Sequence, residues 1–157
     1  MGTPDGTGLS LREAIGLASA ASEASTISFA PTLTGQTIEL TEGVLQFAAT
    51  QQITIAGDVT VDAASRSGVL EVISGAVILD GLTITRGSGT EGAGANVSGG
   101  SLTVANTTFT SNSASSSGGA IAVSSGANLD VVGSSFCREH CQNNCRCHLS
   151  FCDRRTG

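Results

Sequence analysis

Hydrophobic and polar residues alternate along short stretches of this chain, and the stretches return at a nearly constant interval. Pairs of apolar residues two positions apart, the signature of a strand with one buried face, recur in three interleaved series. The first series is Ile27/Phe29, Ile53/Ile55, Val77/Leu79, Leu102/Val104 and Leu129/Val131. The second is Leu45/Phe47, Leu70/Val72, Ala95/Val97 and Ile121/Val123. The third is Ile38/Leu40, Val59/Val61, Ile84, Phe109 and Phe136.

Three short strands in each unit of about 25 residues predict a parallel β-helix with about five coils over residues 25–136. Each strand sends alternate side chains inward, and stacked coils place these side chains above one another about 4.8 Å apart. An antiparallel β-sandwich also has short alternating strands. It gives no reason for three series to share one period, so the all-β parallel β-helix is the preferred fold.

Composition supports a narrow aliphatic core and excludes two classes of partner. Aromatic residues make up only 3% of the 157 residues, and neither Trp nor Tyr occurs. The sequence pI of about 4.6 argues against nucleic-acid binding. No apolar run approaches the roughly 20 residues that a membrane-spanning helix needs, and the first residues do not resemble a signal peptide.

The first 24 residues predict a terminal cap. Ser10 and Glu13 form a Ser-x-x-Glu capping box, with Ser10 as N-cap and Glu13 at position N3 of a helix from about Ser10 to Ala21. An apolar stripe at helical spacing follows, formed by Leu11, Ala14, Ile15 and Ala18. Because an open β-helix end exposes unpaired backbone groups, a helix covering the first coil has a structural purpose.

Two groups of residues resemble known bacterial β-helix proteins. Asp5-Gly6 and Leu9-Ser-Leu-Arg-Glu-Ala-Ile15 resemble the Cys-Ser-Leu-Arg-Glu-Ala signature of surface β-helix proteins, with Leu9 in place of the Cys. Gly118-Gly-Ala-Ile121 and Phe109-Thr-Ser-Asn-Ser-Ala114 resemble the Gly-Gly-Ala-Ile and Phe-x-x-Asn repeats of polymorphic outer-membrane-type adhesins. The resemblance implies a right-handed parallel β-helix and a secreted or surface-anchored bacterial protein. We expect a non-catalytic scaffold or adhesin-passenger role, with outward Ser, Thr and Asn side chains that could hydrogen-bond a cell-surface or glycan ligand. The resemblance brings no catalytic residues.

An enzyme acting on polysaccharides is the first alternative. Hydrolytic β-helices need two or three carboxylates that converge on one face, and the candidates are Asp58, Asp62, Asp80 and Asp130. The same carboxylates are also typical of solvated corners. Residues 1–136 contain neither Lys nor His to serve as the base of an elimination.

Outward threonines suggest a second alternative, an ice-binding surface. Thr83-Ile-Thr85 has the Thr-x-Thr alternation of some β-helical antifreeze proteins, and Thr54, Thr60 and Thr103 occupy comparable places. Outward Thr is equally what β-propensity favours.

Residues 137–157 differ sharply from the rest. The net charge is −8 before residue 137 and +2 after it, and all five Cys and both His lie in this tail. If the tail is helical, Cys141, Cys145, His148 and Cys152 fall near one face and provide donors for Zn²⁺ or another thiophilic ion. A disulfide cluster is the competing interpretation, although five Cys leave one thiol over.

The tail also has an interpretation in which it does not belong to the fold. Phe136 stands where Phe109 stands one coil earlier, and a shift of one nucleotide after Phe136 can restore the Phe-x-x-Asn-x-Ala pattern with suitable codons. A frameshift or cloning junction would then have replaced further coils. The last coil would lack a designed cap, and end-to-end pairing of two chains would cover it.

Overall fold

The computed structural model describes residues 9–141, which form a parallel β-solenoid of about five turns preceded by one short helix. The helix α1 spans Leu11–Ala20, and a 3₁₀ turn spans Pro31–Leu33. The first strands are β1 Ser25–Ser28, β2 Thr37–Glu39, β3 Leu45–Ala56, β4 Thr60–Asp62, β5 Leu70–Asp80, β6 Thr83–Thr85 and β7 Ser88–Glu91. The later strands are β8 Ala95–Val97, β9 Ser101–Ala105, β10 Thr108–Thr110, β11 Ser113–Ser117, β12 Ile121–Val123, β13 Asn128–Val132, β14 Ser135–Cys137 and β15 His140–Cys141.

The strands stack in three parallel sheets. Sheet A contains β1, β3, β5, β8, β9, β12 and β13; sheet B contains β2, β4, β6, β10 and β14; sheet C contains β7, β11 and β15. Strand β5 pairs with β8 along its first half and with β9 along its second half, so sheet A consists of two adjoining strips. The register between β3 and β5 shifts between Phe47 and Gln52, where the two strips meet. Sheet B has no register shift.

The predicted aliphatic stacks are present in the core. Val77 pairs with Leu102, and Leu102 pairs with Leu129 one coil further on. Val77 and Leu102 are at most 1% exposed, whereas Leu129 is half-buried because it lies in the last described coil. Full burial of one such side chain contributes about 1.5–3 kcal/mol relative to an exposed one, so these ladders dominate the stability of the fold. The parallel β-helix prediction is confirmed.

The register of the first coil differs from the prediction by two residues. Ile27 pairs with Ile55 rather than with Ile53, and Ile38 pairs with Val61 rather than with Val59. The 3₁₀ turn lengthens the first corner between sheets A and B, so Ile27 and Ile38 are 11 positions apart whereas their partners Ile55 and Val61 are 6 apart. A shift of two residues leaves the same side chains facing inward.

Sheet C supplies a strand that the hydrophobic pattern did not predict. Its strands are rich in Gly, Ser and Ala, so they carry almost no alternation of apolar and polar residues. Backbone pairing with the neighbouring coil is enough to form them. The later coils therefore contain four strands rather than three.

Candidate functional surfaces

The N-terminal signature forms a helix cap, as predicted. The Ser10 amide and hydroxyl each donate to Glu13 Oε2 at 2.8 Å, and the Glu13 amide donates to Ser10 Oγ at 3.2 Å. The hydrogen bond from the Ser10 backbone lowers the pKa of Glu13 below its usual value. Leu11, Ile15 and Ala18 are buried on the side of the helix that packs against the first coils.

Arg12 joins this cap to the solenoid, a role that sequence reasoning missed. Its Nη1 donates to the Val44 carbonyl at 2.8 Å and its Nη2 to the Gly43 carbonyl at 2.5 Å. Its Nε lies 3.8 Å from a Glu42 carboxylate oxygen. Together with the capping box and the buried Leu11, this contact gives the Ser-Leu-Arg-Glu segment a structural role.

Among the predicted carboxylates, Asp62 is the one held in an ion pair. It is 5% exposed and accepts from Arg86 Nε at 2.8 and 2.9 Å, from Arg86 Nη2, and from the Ala64 amide at 2.7 Å. Burial raises the pKa of Asp62, but the hydrogen bonds from Arg86 and Ala64 outweigh it and lower the pKa overall. A carboxylate so firmly engaged at the end of β4 is suited to joining two coils.

The other three carboxylates do not converge with Asp62. Asp58 is exposed at the bend before β4, whereas Asp62 is buried at the end of that strand. Asp80 ends β5 and accepts from Asn106 Nδ2 at 2.9 Å. Asp130 is exposed on β13. Asp58 and Asp80 do occupy successive coils at the same corner, since the Gly57 amide donates to the Asp80 carbonyl at 3.0 Å.

The outward side chains of sheet B form two rows, and we call this surface the threonine face. The first row consists of Thr37, Thr60, Thr83, Thr108 and Ser135 in direct register. The second row consists of Glu39, Asp62, Thr85, Thr110 and Cys137. The prediction identified Thr60, Thr83 and Thr85 but missed the Thr residues of β2 and β10. Thr54 and Thr103 lie instead on sheet A, in a row interrupted by Ile78.

A polar cluster closes the solenoid corner after β10. Asn112 is fully buried; its Oδ1 accepts from the Gly87 amide at 2.8 Å and its Nδ2 donates to the Ile84 carbonyl at 3.2 Å. Glu139 stands one coil further on and accepts from the Asn112 amide at 3.2 Å and from Asn112 Nδ2 at 3.3 Å. Burial raises the pKa of Glu139 to about 7, although both hydrogen bonds from Asn112 oppose the shift.

The predicted metal site falls almost wholly outside the described residues. Cys145, His148 and Cys152 lie beyond residue 141. Cys141 ends β15, takes part in a disulfide, and has its Sγ 3.4 Å from the Ser116 carbonyl oxygen. Within residues 9–141, no group of three or more His, Cys, Asp or Glu side chains is arranged to hold a metal ion. Parallel pairing continues through Cys141, beyond the predicted boundary at residue 136.

A cavity of about 480 Å³ lies between the cap helix and the first coil. Its lining is mostly apolar and includes Leu11, Ile27, Phe29 and Ile38. Leu9, the first described residue, also lines it, and the described lining contains no carboxylate, His or Cys side chain.

Comparison with known proteins does not assign this chain to a family. Neither the protein-family models, nor the curated proteins, nor the solved structures contain a match to this chain. None of the helices in residues 9–141 has the length and apolar character needed to cross a membrane.

Proposed function

We propose that this chain is a non-catalytic β-helix scaffold, secreted or located at the cell surface and similar to an adhesin passenger. The threonine face is its contact surface. The observation that carries the proposal is the regular polar surface of sheet B, where hydroxyl groups follow one another in register across five strands.

The contacts made by the residues of the Ser-Leu-Arg-Glu segment support a scaffold role. Ser10, Arg12 and Glu13 are used to cap the helix and attach it to the solenoid. Asp62 and Arg86 join neighbouring coils at the edge of the same face. Side chains used in this way stabilise a rigid surface, which is what a contact protein requires.

An enzyme acting on polysaccharides is supported less well. Catalytic carboxyl groups of glycoside hydrolases lie roughly 5–9.5 Å apart. Asp62 lies at the opposite end of β4 from Asp58 and is occupied by Arg86. Only Asp58 and Asp80 share a corner, and that pair defines the test of the enzyme alternative.

The proposal is tested with beads that carry the purified full chain, applied to a panel of immobilised glycans and to cultured epithelial cells. We expect adhesion to at least one surface, lost in Thr85→Glu on the threonine face and retained in Thr26→Glu on sheet A. Adhesion no greater than that of albumin-coated beads would refute a glycan or cell-surface ligand for this face. Turnover of any polysaccharide in a matched panel, abolished by Asp80→Asn, would refute the non-catalytic role.

A further inference from the structure

The hydroxyl groups at the centre of the threonine face are regularly spaced in two directions. Successive coils of a parallel sheet are about 4.8 Å apart, and alternate residues of one strand are about 6.6 Å apart. Thr83, Thr85, Thr108 and Thr110 therefore stand at the corners of a nearly rectangular cell. The first row continues this spacing to Thr60 and Thr37 on one side and to Ser135 on the other, whereas the Thr residues of the second row are Thr85 and Thr110.

The repeat is held at constant spacing by the backbone. At each step of the first row an amide donates to a carbonyl of the preceding coil, and the distances are all 2.9 or 3.0 Å. These bonds run from Thr60 to Gln36, from Thr83 to Val59, from Thr108 to Leu82 and from Ser135 to Thr107. Below the surface, Ile84 and Phe109 are 0% exposed, and the rings of Phe109 and Phe136 stack at 5.3 Å. Side chains on such a base are ordered before any ligand arrives, so binding costs little conformational entropy.

The centre of the face is uncharged and carries both methyl and hydroxyl groups. Charged side chains occur in the second row only towards the N-terminal end, where Asp62 is paired with Arg86. The Thr85 hydroxyl donates to the Thr110 carbonyl at 2.9 Å, which fixes its orientation and leaves its oxygen able to accept from water.

We infer that the threonine face binds ice. The surface of an ice crystal is an array of water oxygens that repeats in two dimensions at spacings comparable with those of the threonine cell. A soluble small molecule has no such repeat, and the face has no aromatic side chain on which a sugar ring could stack. The inference rests on the proposed contact role and names crystalline water as the ligand. The alternative explanation is that Thr occupies these outward positions only because it favours the strand conformation.

The experiment compares the full chain with Thr83→Tyr on the threonine face and Thr103→Tyr on sheet A. Both threonines are half-buried, and Tyr favours strands, so the two substitutions are matched. The readouts are the gap between melting and freezing temperatures of a single ice crystal, and the partition of protein into a growing ice hemisphere. Circular dichroism checks each fold, and Thr108→Lys in the same row replaces Thr83→Tyr if that variant does not fold.

We expect the unaltered chain and Thr103→Tyr to enter ice and to open a freezing gap, and the threonine-face variant to lose both effects. Exclusion of the unaltered chain from ice overturns the inference, and so does an equal loss in Thr103→Tyr. If the chain is excluded from ice while beads still adhere through the threonine face, the ice inference alone fails. Absence of both effects overturns the contact role as well.

Discussion

Burial in the last described coil raises the pKa of Glu139, and replacing this residue by Gln tests that effect. Its carboxyl is half-buried and faces the Asn112 amide and Nδ2, with no described cation bonded to it. Burial raises its pKa from 4.5 to about 7, so the folded state favours the neutral form. Gln has nearly the same shape, stays neutral at every pH, and keeps one oxygen that accepts from one of the two Asn112 donors.

The sign and size of the expected change in stability follow from the shift in the pKa of Glu139. A raised carboxyl pKa contributes stability that is fully present below about pH 4.5 and is lost as the pH rises through about 7. The full shift corresponds to about 3.4 kcal/mol, an upper limit, and solvent around the half-exposed carboxyl reduces it to about 1–2 kcal/mol. At pH 8 we therefore expect Glu139→Gln to be more stable than the unaltered chain by about this amount. At pH 4.5 the difference should nearly vanish.

Urea unfolding followed by circular dichroism at the two pH values measures the difference. Because terminal coils of a solenoid open separately from the rest, amide hydrogen exchange at His140, whose N–H donates to the Asn112 carbonyl at 2.8 Å, gives a local measurement. Glu91→Gln, at an exposed carboxylate on β7, is the control for loss of one negative charge. Equal stabilisation at both pH values, or faster exchange at His140 in Glu139→Gln at pH 8, would show that the reasoning is wrong.

Three further substitutions test the contacts between coils and the capping box of α1. Arg86→Ala leaves the buried carboxylate of Asp62 unpaired and should lower the free energy of unfolding in urea by about 2–3 kcal/mol, less than for a fully buried pair because Arg86 is half exposed. Arg66→Ala, at an exposed ion pair, should lower it by under about 1 kcal/mol. Equal costs would contradict the role of the Asp62–Arg86 pair in joining the coils. Ser10→Ala should cost about 1 kcal/mol and speed proteolysis of the cap helix, whereas an unchanged cleavage rate would argue against the capping box. Gly100→Ala should destabilise the chain by about 1–3 kcal/mol more than Gly126→Ala. Both glycines have positive φ, but of the two only Gly100 would place a Cβ 2.1 Å from a carbonyl oxygen of the neighbouring coil. Equal melting temperatures of the two variants would refute this expectation.

The inward face of the solenoid could be predicted from the sequence because its physical cause is local. An apolar residue such as Leu102 points inward because burial removes it from water, and the residues two positions away in the same strand point the same way. The capping box was equally readable, since Ser10 and Glu13 contact each other within one turn. The register of Ile27 was not, because a slip of two residues leaves the same side chains facing inward and so does not change the alternation pattern.

The outward contacts were harder to predict because they join residues far apart in sequence. The Arg12 clamp reaches 31 and 32 positions along the chain, and the Asp62–Arg86 pair spans 24. Nothing in the local pattern around either Arg distinguishes it from a solvated one. The threonine rows were predicted only in part for the same reason, since Thr83 and Thr108 become neighbours only when the coils are stacked in the correct register.

The change in composition after Phe136 does not coincide with a break in structure in the described residues. Phe136 stacks on Phe109, and His140–Cys141 still pairs with β11, because parallel pairing uses the backbone and needs no particular side chain. What changes is the polar corner. Asn112 both accepts and donates there, whereas an ionised Glu139 can only accept. The hydrophobic repeat thus continues into the last described coil while the hydrogen-bonding repeat does not, and opening of that coil should begin at Glu139 rather than at the aliphatic ladders.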